Sequence, residues 1–330
     1  MSNDHSEGGD VPAGIRPIVS VIMANHNGAA YLGEATASVL AQTLDAIELI
    51  IADDASTDDS LAIVRSLMAT DPRIRLVAAQ SNGGPARTRN RALDLARGDW
   101  IAIVDADDVI APHRLARLVG AGEARGVDIV ADDLLYFVDG AEPHARLLQD
   151  AILAGPEQVT PEGFIAGKSQ AGGAVAFGYL KPLIRRSALA GLRYDETLRI
   201  GEDYDLLLRL LLGGAELCVL PEPMYHYRRH SRSVSHRLSV ATVRAMIESQ
   251  DRFVAGHGPF PARLALAFGQ RRDALARRLD YEELVDDLKG RRLGAAFGAL
   301  LSQPSLLLKL ARSLNERLTR RLSPSRKVAG

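Results

Sequence analysis

The residues that could do chemistry sit in short polar runs, each next to an apolar segment. Asp105-Ala106-Asp107-Asp108 follows Trp100-Ile101-Ala102-Ile103-Val104. On extended backbone, residues i and i+2 point the same way, so the carboxylates of Asp105 and Asp107 are expected to face one cation. Such oxygen ligands suit Mg2+ or Mn2+, and two carboxylates leave positions open for phosphate oxygens, as a nucleotide held through its diphosphate would require. The same run also reads as a solvated turn capping the next helix, with Asp108 forming the turn. A second pair, Asp53-Asp54, ends the segment from Ile47 to Ala52; its other reading is helix capping. A third, Glu202-Asp203, opens a leucine-dense helical segment, where the helix N-terminus stabilises a carboxylate as an anion able to take a proton. The plainer reading there is a cap and charge pair. Arg87 and Arg89 lie near a helix start and do not share a face on a helix. One is expected to reach phosphate or carboxylates, and the other to be structural or solvated. Tyr225-His226-Tyr227-Arg228-Arg229-His230 is basic and aromatic, and reads otherwise as a surface loop.

These runs need elements to position them. Ile18 to Ala24, Ile47 to Ala52, Ile74 to Ala78, Trp100 to Val104 and Val127 to Ala131 read as strands. They are short, nearly continuous apolar runs, as strands covered on both faces should be. Helical patterns lie between them, one capped by Ser56 or Thr57, one opening at Gly83-Gly84-Pro85, and one with Pro112 in its first turn. Such alternation implies right-handed βαβ crossovers and a Rossmann-like, mainly parallel α/β sheet flanked by helices. Ligands in such folds gather beyond the carboxyl ends of the strands, where Asn25-His26-Asn27, Asp53-Asp54 and Asp105 to Asp108 all fall. Further on, Gly167 to Gly178 reads as a mobile loop or acceptor rim, Asp203 to Leu212 as a helix, and Leu217 to Leu220 as a strand. The expected organisation is a disordered leader (1–16), a catalytic domain (17–235) with a nucleotide half (17–131) and an acceptor half (132–235), and a helical C-terminal region (236–330).

Composition narrows the classes. The chain has 330 residues, 47% hydrophobic and 25% charged, which is globular. Its single cysteine, Cys218, lies in an apolar run and excludes a disulfide scaffold or a cysteine-based zinc site. No stretch of 18 apolar residues is present, so a conventional membrane span is not expected. The N-terminus carries Asp4, Glu7 and Asp10 without an apolar core; no secretory signal is read there, and a cytoplasmic protein is expected. Residues 263–330 hold 15 Lys or Arg against 7 Asp or Glu, which leaves the body acidic and argues against nucleic-acid binding. In the tail, Leu307, Leu310, Leu314, Leu318 and Leu322 form one helical stripe, with Lys309, Arg312, Arg317, Arg320 and Arg321 around it. That pattern reads as packing within the protein or a homodimer, or as peripheral contact with an anionic membrane.

Five segments, in order, resemble family 2 glycosyltransferases: Ser20 to Asn27, Ile51 to Asp58, Asn82 to Asn90, Asp105 to Asp108, and Gly201 to Asp205. Together they cover about residues 18–235. The resemblance implies the GT-A fold, a nucleotide-diphospho-sugar donor, UDP by preference, and inversion at the anomeric carbon. It implies Mn2+ or Mg2+ held by Asp107, Asp105 and His230. Donor contacts are implied at Ala24, His26, Asn27, Asp53, Asp54, Gly83, Arg87, Ala106 and Arg228, with Asp54 accepting the uracil imide and His26 stacking on the base. Asp203 is implied as catalytic base, with Glu202 beside it. Gly178-Tyr179-Leu180-Lys181-Pro182 is similar to bacterial exopolysaccharide enzymes of the succinoglycan type, which places Lys181 and Tyr204 on the acceptor side and favours glucose and a lipid-linked oligosaccharide. A Gln-x-x-Arg-Trp signature of processive synthases is absent, Trp100 being the only tryptophan. The alternative is a nucleotide-sugar-binding regulator with a decayed site.

Overall fold

The computed structural model describes residues 5–7, 16–140, 145–148, 155–170, 173–198, 200–230, 239–307 and 310–311. Strands and helices alternate as β1 (His5–Glu7), β2 (Val19–Asn25), α1 (Ala29–Leu40), β3 (Ile47–Asp53), α2 (Ser60–Met68), β4 (Ile74–Ala78), α3 (Pro85–Leu95) and β5 (Trp100–Ile103). Strands β4, β3, β2 and β5 lie side by side, all parallel. Every residue of β3 is buried, which its continuous apolar run requires. The buried exception, Glu48, accepts from Ser20 Oγ at 2.6 Å and Arg97 Nη2 at 2.8 Å. Burial pushes its pKa up, but these bonds outweigh it and hold the carboxyl below its ordinary value. Register sets Asn25 opposite Asp53, so the ends of β2 and β3 are level at one sheet edge.

The sheet then widens. It adds β6 (Val109–Ile110), α4 (Arg114–Arg125), β7 (Ile129–Phe137), β8 (Ala145–Arg146), β9 (Glu157–Val159), α5 (Pro161–Ala166), β10 (Leu183–Arg185), α6 (Arg186–Leu189), α7 (Glu202–Leu212) and β11 (Leu217–Arg228). Beyond β5 the order is β10-β7-β11-β6. Strand β10 is antiparallel to both neighbours, while β7 and β11 are parallel. The result is a largely parallel α/β sheet with antiparallel additions and helices on its faces. The division expected at 131/132 falls inside β7, so the two halves share one sheet. Trp100 is buried in its middle under the Arg185 guanidinium, 4.2 Å from the ring. A Cβ at Gly122 would lie 2.5 Å from that ring, so glycine is what lets α4 close on β5. Cys218 is buried, as an apolar run predicts.

Several boundaries differ from expectation. Strand β11 does not stop at Leu220; it passes an irregularity between Leu220 and Tyr225, where Pro221 and Pro223 withhold ladder donors, and resumes to Arg228. The basic-aromatic run from Tyr225 to Arg228 is therefore strand, not loop. Ser56 and Thr57 do not cap α2, which begins at Ser60 with the Ser60 amide on Asp58 Oδ1 at 3.0 Å. Pro112 precedes α4 rather than entering its first turn. Part of the leader is ordered: Ser6 pairs opposite Val77 in β4.

By compactness the chain divides into two units, 1–233 with 261–267, and 234–260 with 268–330. The second contains α8 (Val240–His257), most of α9 (Ala262–Lys289) and α10 (Leu293–Ser302). Its small core joins Leu284, Ala296 and Leu306, with Tyr281, Leu288, Ala299 and Leu300 against them. No described helix is long and apolar enough to cross a membrane. Of the expected tail stripe, Leu314, Leu318 and Leu322, with Lys309 and the four arginines, lie outside the described residues.

Candidate active site

Three strand and helix ends meet at one edge of the first unit. At the ends of β2 and β3, the acids are held by neighbours. Asp53 takes the Ser56 amide at 2.8 Å, Ser56 Oγ at 2.7 Å and Asn25 Nδ2 at 2.7 Å. Asn27, at a φ of 54° that asparagine tolerates, accepts from the Thr57 amide at 2.8 Å and so ties the loop. Asp54 is buried, with Gly83 N at 2.9 Å and Arg91 Nη2 at 2.8 Å on Oδ1, and Gly84 N at 2.8 Å on Oδ2. Burial alone would raise its pKa; the two amides and Arg91 outweigh it and hold the carboxyl low. The carboxylate expected to receive a base N–H thus already has both oxygens bonded by its own chain, and Gly83 serves as one donor. Ala24 is partly buried beside Ala52. His26 is exposed at the edge, its Nδ1 2.9 Å from the Asp54 carbonyl.

At the end of β5 the expected extended Asp-x-Asp is instead a turn, closed by the Asp108 amide on the Asp105 carbonyl at 3.1 Å. The two carboxylates, expected to share one cation, have different partners. Asp105 accepts from Arg89 Nη2 at 3.0 Å and pairs with Lys181 Nζ at 2.7 Å. Burial would raise its pKa, but Lys181 and then Arg89 pull it far below the carboxylate range. Asp107 keeps 35% side-chain exposure, with His230 Nε2 2.9 Å from its Oδ2. The His230 ring stacks on Tyr31 at 4.9 Å. Asp108 is the turn's buried anchor. It accepts from Tyr225 Oη and from the Arg228 amide, each at 2.7 Å, while Tyr225 Oη takes the Asp105 amide at 3.1 Å. Burial, then the charges of Asp105 and Asp107, push the Asp108 carboxyl well above its ordinary value. Arg228 lies beneath this turn. Its Nε donates to the Asp107 carbonyl at 2.7 Å, it pairs with Glu34 and Asp139, and its guanidinium lies 4.8 and 4.6 Å from the Tyr31 and Phe137 rings. With 3% of its side chain exposed, Arg228, expected over a diphosphate, braces the turn. Ala106 is nearly buried in the turn.

The third contribution is the start of α7. Gly201 takes a φ of +85°, open to glycine and rarely to other residues, and turns the chain so that Glu202 and Asp203 begin the helix. Glu202 Oε1 accepts from Arg89 Nη1 at 2.7 Å. Asp203 Oδ2 accepts from Lys181 Nζ at 3.0 Å. Asp203 Oδ1 lies 3.5 Å from Arg89 Nη1 and has no hydrogen bond among the described residues. Lys181 and Arg89 therefore link the carboxylate at the end of β5 to those at the start of α7. Burial would lower both cations' pKa values, yet the surrounding carboxylates raise them well above normal, so both stay charged. Lys181 is fixed from behind, its carbonyl accepting from Arg114 Nη2 of the fully buried Arg114–Asp132 pair.

The geometry reassigns several expectations. Arg87, picked for donor binding, is exposed, and its helical neighbour Arg89 reaches the carboxylates. Lys181, expected on the acceptor side, is central to the charge cluster. The Tyr204 ring packs on Phe164 at 5.0 Å rather than on those carboxylates. Tyr194 and Arg91 were missed. The buried Tyr194 ring lies 5.6 Å from the Arg89 guanidinium; its amide donates to Asn90 Oδ1 at 2.9 Å and its carbonyl accepts from Asn90 Nδ2 at 3.0 Å. Nothing in its sequence neighbourhood marks it. Among the described residues no group of three or more His, Cys, Asp or Glu is arranged to hold a metal.

Carboxylates set beside cations at the ligand edge of a Rossmann-like sheet accompany a clear similarity to known proteins. Residues 20–185 fit the description "Glycosyl transferase family 2". Succinoglycan biosynthesis protein ExoO of Rhizobium meliloti is 34% identical over 92% of this chain and 87% of its own length. ExoU of the same organism is 32% identical over 93% and 90%. Two solved structures share the fold. S. aureus TarS with UDP-GlcNAc has a TM-score of 0.61 at 20% identity, over 77% of this chain and 71% of that one. The mannosyltransferase PcManGT of Pyrobaculum calidifontis, with GDP-Man and Mn2+, has a TM-score of 0.61 at 19% identity, over 96% and 84%. On the ordered match across half the chain and full-length kinship, the protein belongs to glycosyl transferase family 2 and is an enzyme of the GT-A fold.

Proposed function

We propose that the enzyme transfers a sugar, with inversion, from a UDP-sugar to a carbohydrate hydroxyl during exopolysaccharide-type biosynthesis in the cytoplasm. Glucose is the favoured donor sugar and a lipid-linked oligosaccharide the favoured acceptor. The names of its two full-length relatives and the UDP-GlcNAc in a fold neighbour support this reading. The observation that carries it is Asp203, with one oxygen anchored on Lys181 and the other without a hydrogen bond.

That Oδ1, buried beside Arg89 and without a hydrogen bond, is the atom we assign to take the acceptor's proton. The acceptor oxygen bonds to the anomeric carbon as the bond to the diphosphate oxygen breaks. The electron pair leaves with UDP, the proton goes to Asp203, and configuration inverts because no enzyme nucleophile intervenes. Lys181 and Arg89 hold Asp203 and Glu202 in place and supply positive charge on the side of Asp105. Asp107 and His230 offer a half-exposed carboxylate oxygen and an imidazole nitrogen side by side, a donor set that fits Mn2+ or Mg2+. A divalent ion there would neutralise charge on the departing diphosphate. Asp105, engaged by two cations, is not needed as its ligand.

The test is a panel of nucleotide sugars with extracted lipid-linked acceptors, measuring UDP release and product linkage. Transfer from a UDP-sugar is the expected result. Tight donor binding without transfer from any donor would instead mean a nucleotide-sugar-binding protein with a decayed site.

A further inference from the structure

We propose that the C-terminal unit docks on an anionic lipid bilayer through the outer face of α10. This helix, Leu293–Ser302, contains no charged residue. One side of it closes on the small core around Leu284 and Leu288 through Ala296, Ala299 and Leu300. The adjoining face bears Leu293, Phe297 and Leu301, exposed by 66%, 64% and 67%. Four-residue spacing puts them in one stripe. Gly294, Ala295 and Gly298 are also exposed, so the face is apolar from Leu293 to Leu301. Single exposed leucines are ordinary, whereas a continuous apolar stripe marks a contact.

Charge identifies what the stripe meets. Residues 289–330 hold ten Lys or Arg and a single acid, Glu316. Lys289 and Arg291 are exposed at the entry to α10, and Arg292 pairs there with Asp286 and Asp287. The same positive excess on a second copy disfavours self-association. An anionic headgroup layer complements it, and the stripe buries at the boundary between headgroups and acyl chains. The helix is about 15 Å long at 1.5 Å per residue, so it lies in the surface and does not cross it.

Flotation with vesicles tests this on the full chain and needs no sugar donor, so its outcome is independent of the transferase reading. Wild type is expected to float with phosphatidylcholine–phosphatidylglycerol vesicles at low salt, less as salt rises, and poorly with phosphatidylcholine alone. The triple variant Leu293→Ser, Phe297→Ser, Leu301→Ser removes only exposed groups. It is expected to lose about tenfold or more in vesicle affinity, with unchanged circular dichroism and Tm. Arg317→Glu with Arg320→Glu and Arg321→Glu is expected to weaken binding through charge alone. Failure of wild type to float, or flotation of the serine variant equal to wild type, overturns the proposal. A dimer in light scattering that the serine variant dissolves, with flotation unchanged, overturns it in favour of a second copy.

Discussion

The acids at the end of β3 and those at the end of β5 and start of α7 look alike in sequence and behave differently. Asp53 and Asp54 are satisfied by amides, hydroxyls and one arginine, mostly from chain segments already packed against the same sheet edge. Asp105, Glu202 and Asp203 are held by Lys181 and Arg89, two cations that bridge elements far apart in the chain. A carboxylate bonded by backbone amides is scaffold, because replacing those bonds would unmake the loop. One balanced against side-chain cations, with a buried oxygen left without a hydrogen bond, is the one the proposed reaction uses. Asp107 belongs with neither set: it faces solvent beside His230.

Asp203→Asn gives the largest expected effect, a fall in kcat of about 10²–10⁴-fold with donor binding retained, the scale of a positioned proton acceptor. A rate within a few-fold of wild type would remove Asp203 from that role, and an equal fall in Asp54→Asn with the fold intact would erase the contrast. Lys181→Met comes next. It leaves Asp105 and Asp203 without their shared buried cation, and denaturant unfolding is expected to show a loss of about 3–5 kcal/mol, partly restored by Lys181→Arg. No change in unfolding midpoint would mean the bridge is not made in solution.

Asp107→Ala is expected to abolish the increase in UDP-sugar affinity that Mn2+ produces over excess chelator in calorimetry, with a smaller reduction for His230→Ala. An Asp107→Ala protein that still responds to Mn2+ as wild type does would displace the ion from this pair. The smallest effect belongs to Asp54→Asn, about 1–3 kcal/mol of stability with kcat nearly unchanged. Asp54 titrates below its ordinary 3.8 when folded, so its contribution is complete above that pH and is lost as pH falls through the lowered value. Unfolding free energies measured between neutral and acid pH should therefore converge for wild type and Asp54→Asn as pH drops; parallel curves would contradict this.

The apolar runs and their spacing were enough for the alternation of β2 through β5, and for the polar runs to fall at one edge, because a parallel strand buried on both faces must be continuous and must end in its loop. The order of five short motifs was enough for the family. Which acid does what was not legible. Extended backbone would align Asp105 and Asp107; a turn braced by Tyr225 and Arg228 stands there instead, and the two acids have different partners. Those two residues come from β11, 120 positions along the chain from the groups they hold. Arg87 and Arg89 are indistinguishable by type, and only the seating of α3 on the sheet turns one inward. Lys181 became central because the buried Arg114–Asp132 pair fixes its carbonyl. Sequence settles what is local, namely periodicity, turn residues and the polarity of a run. Partners across the sheet are set by packing, and in this protein those partners separate the carboxylates held by backbone amides from those held by Lys181 and Arg89.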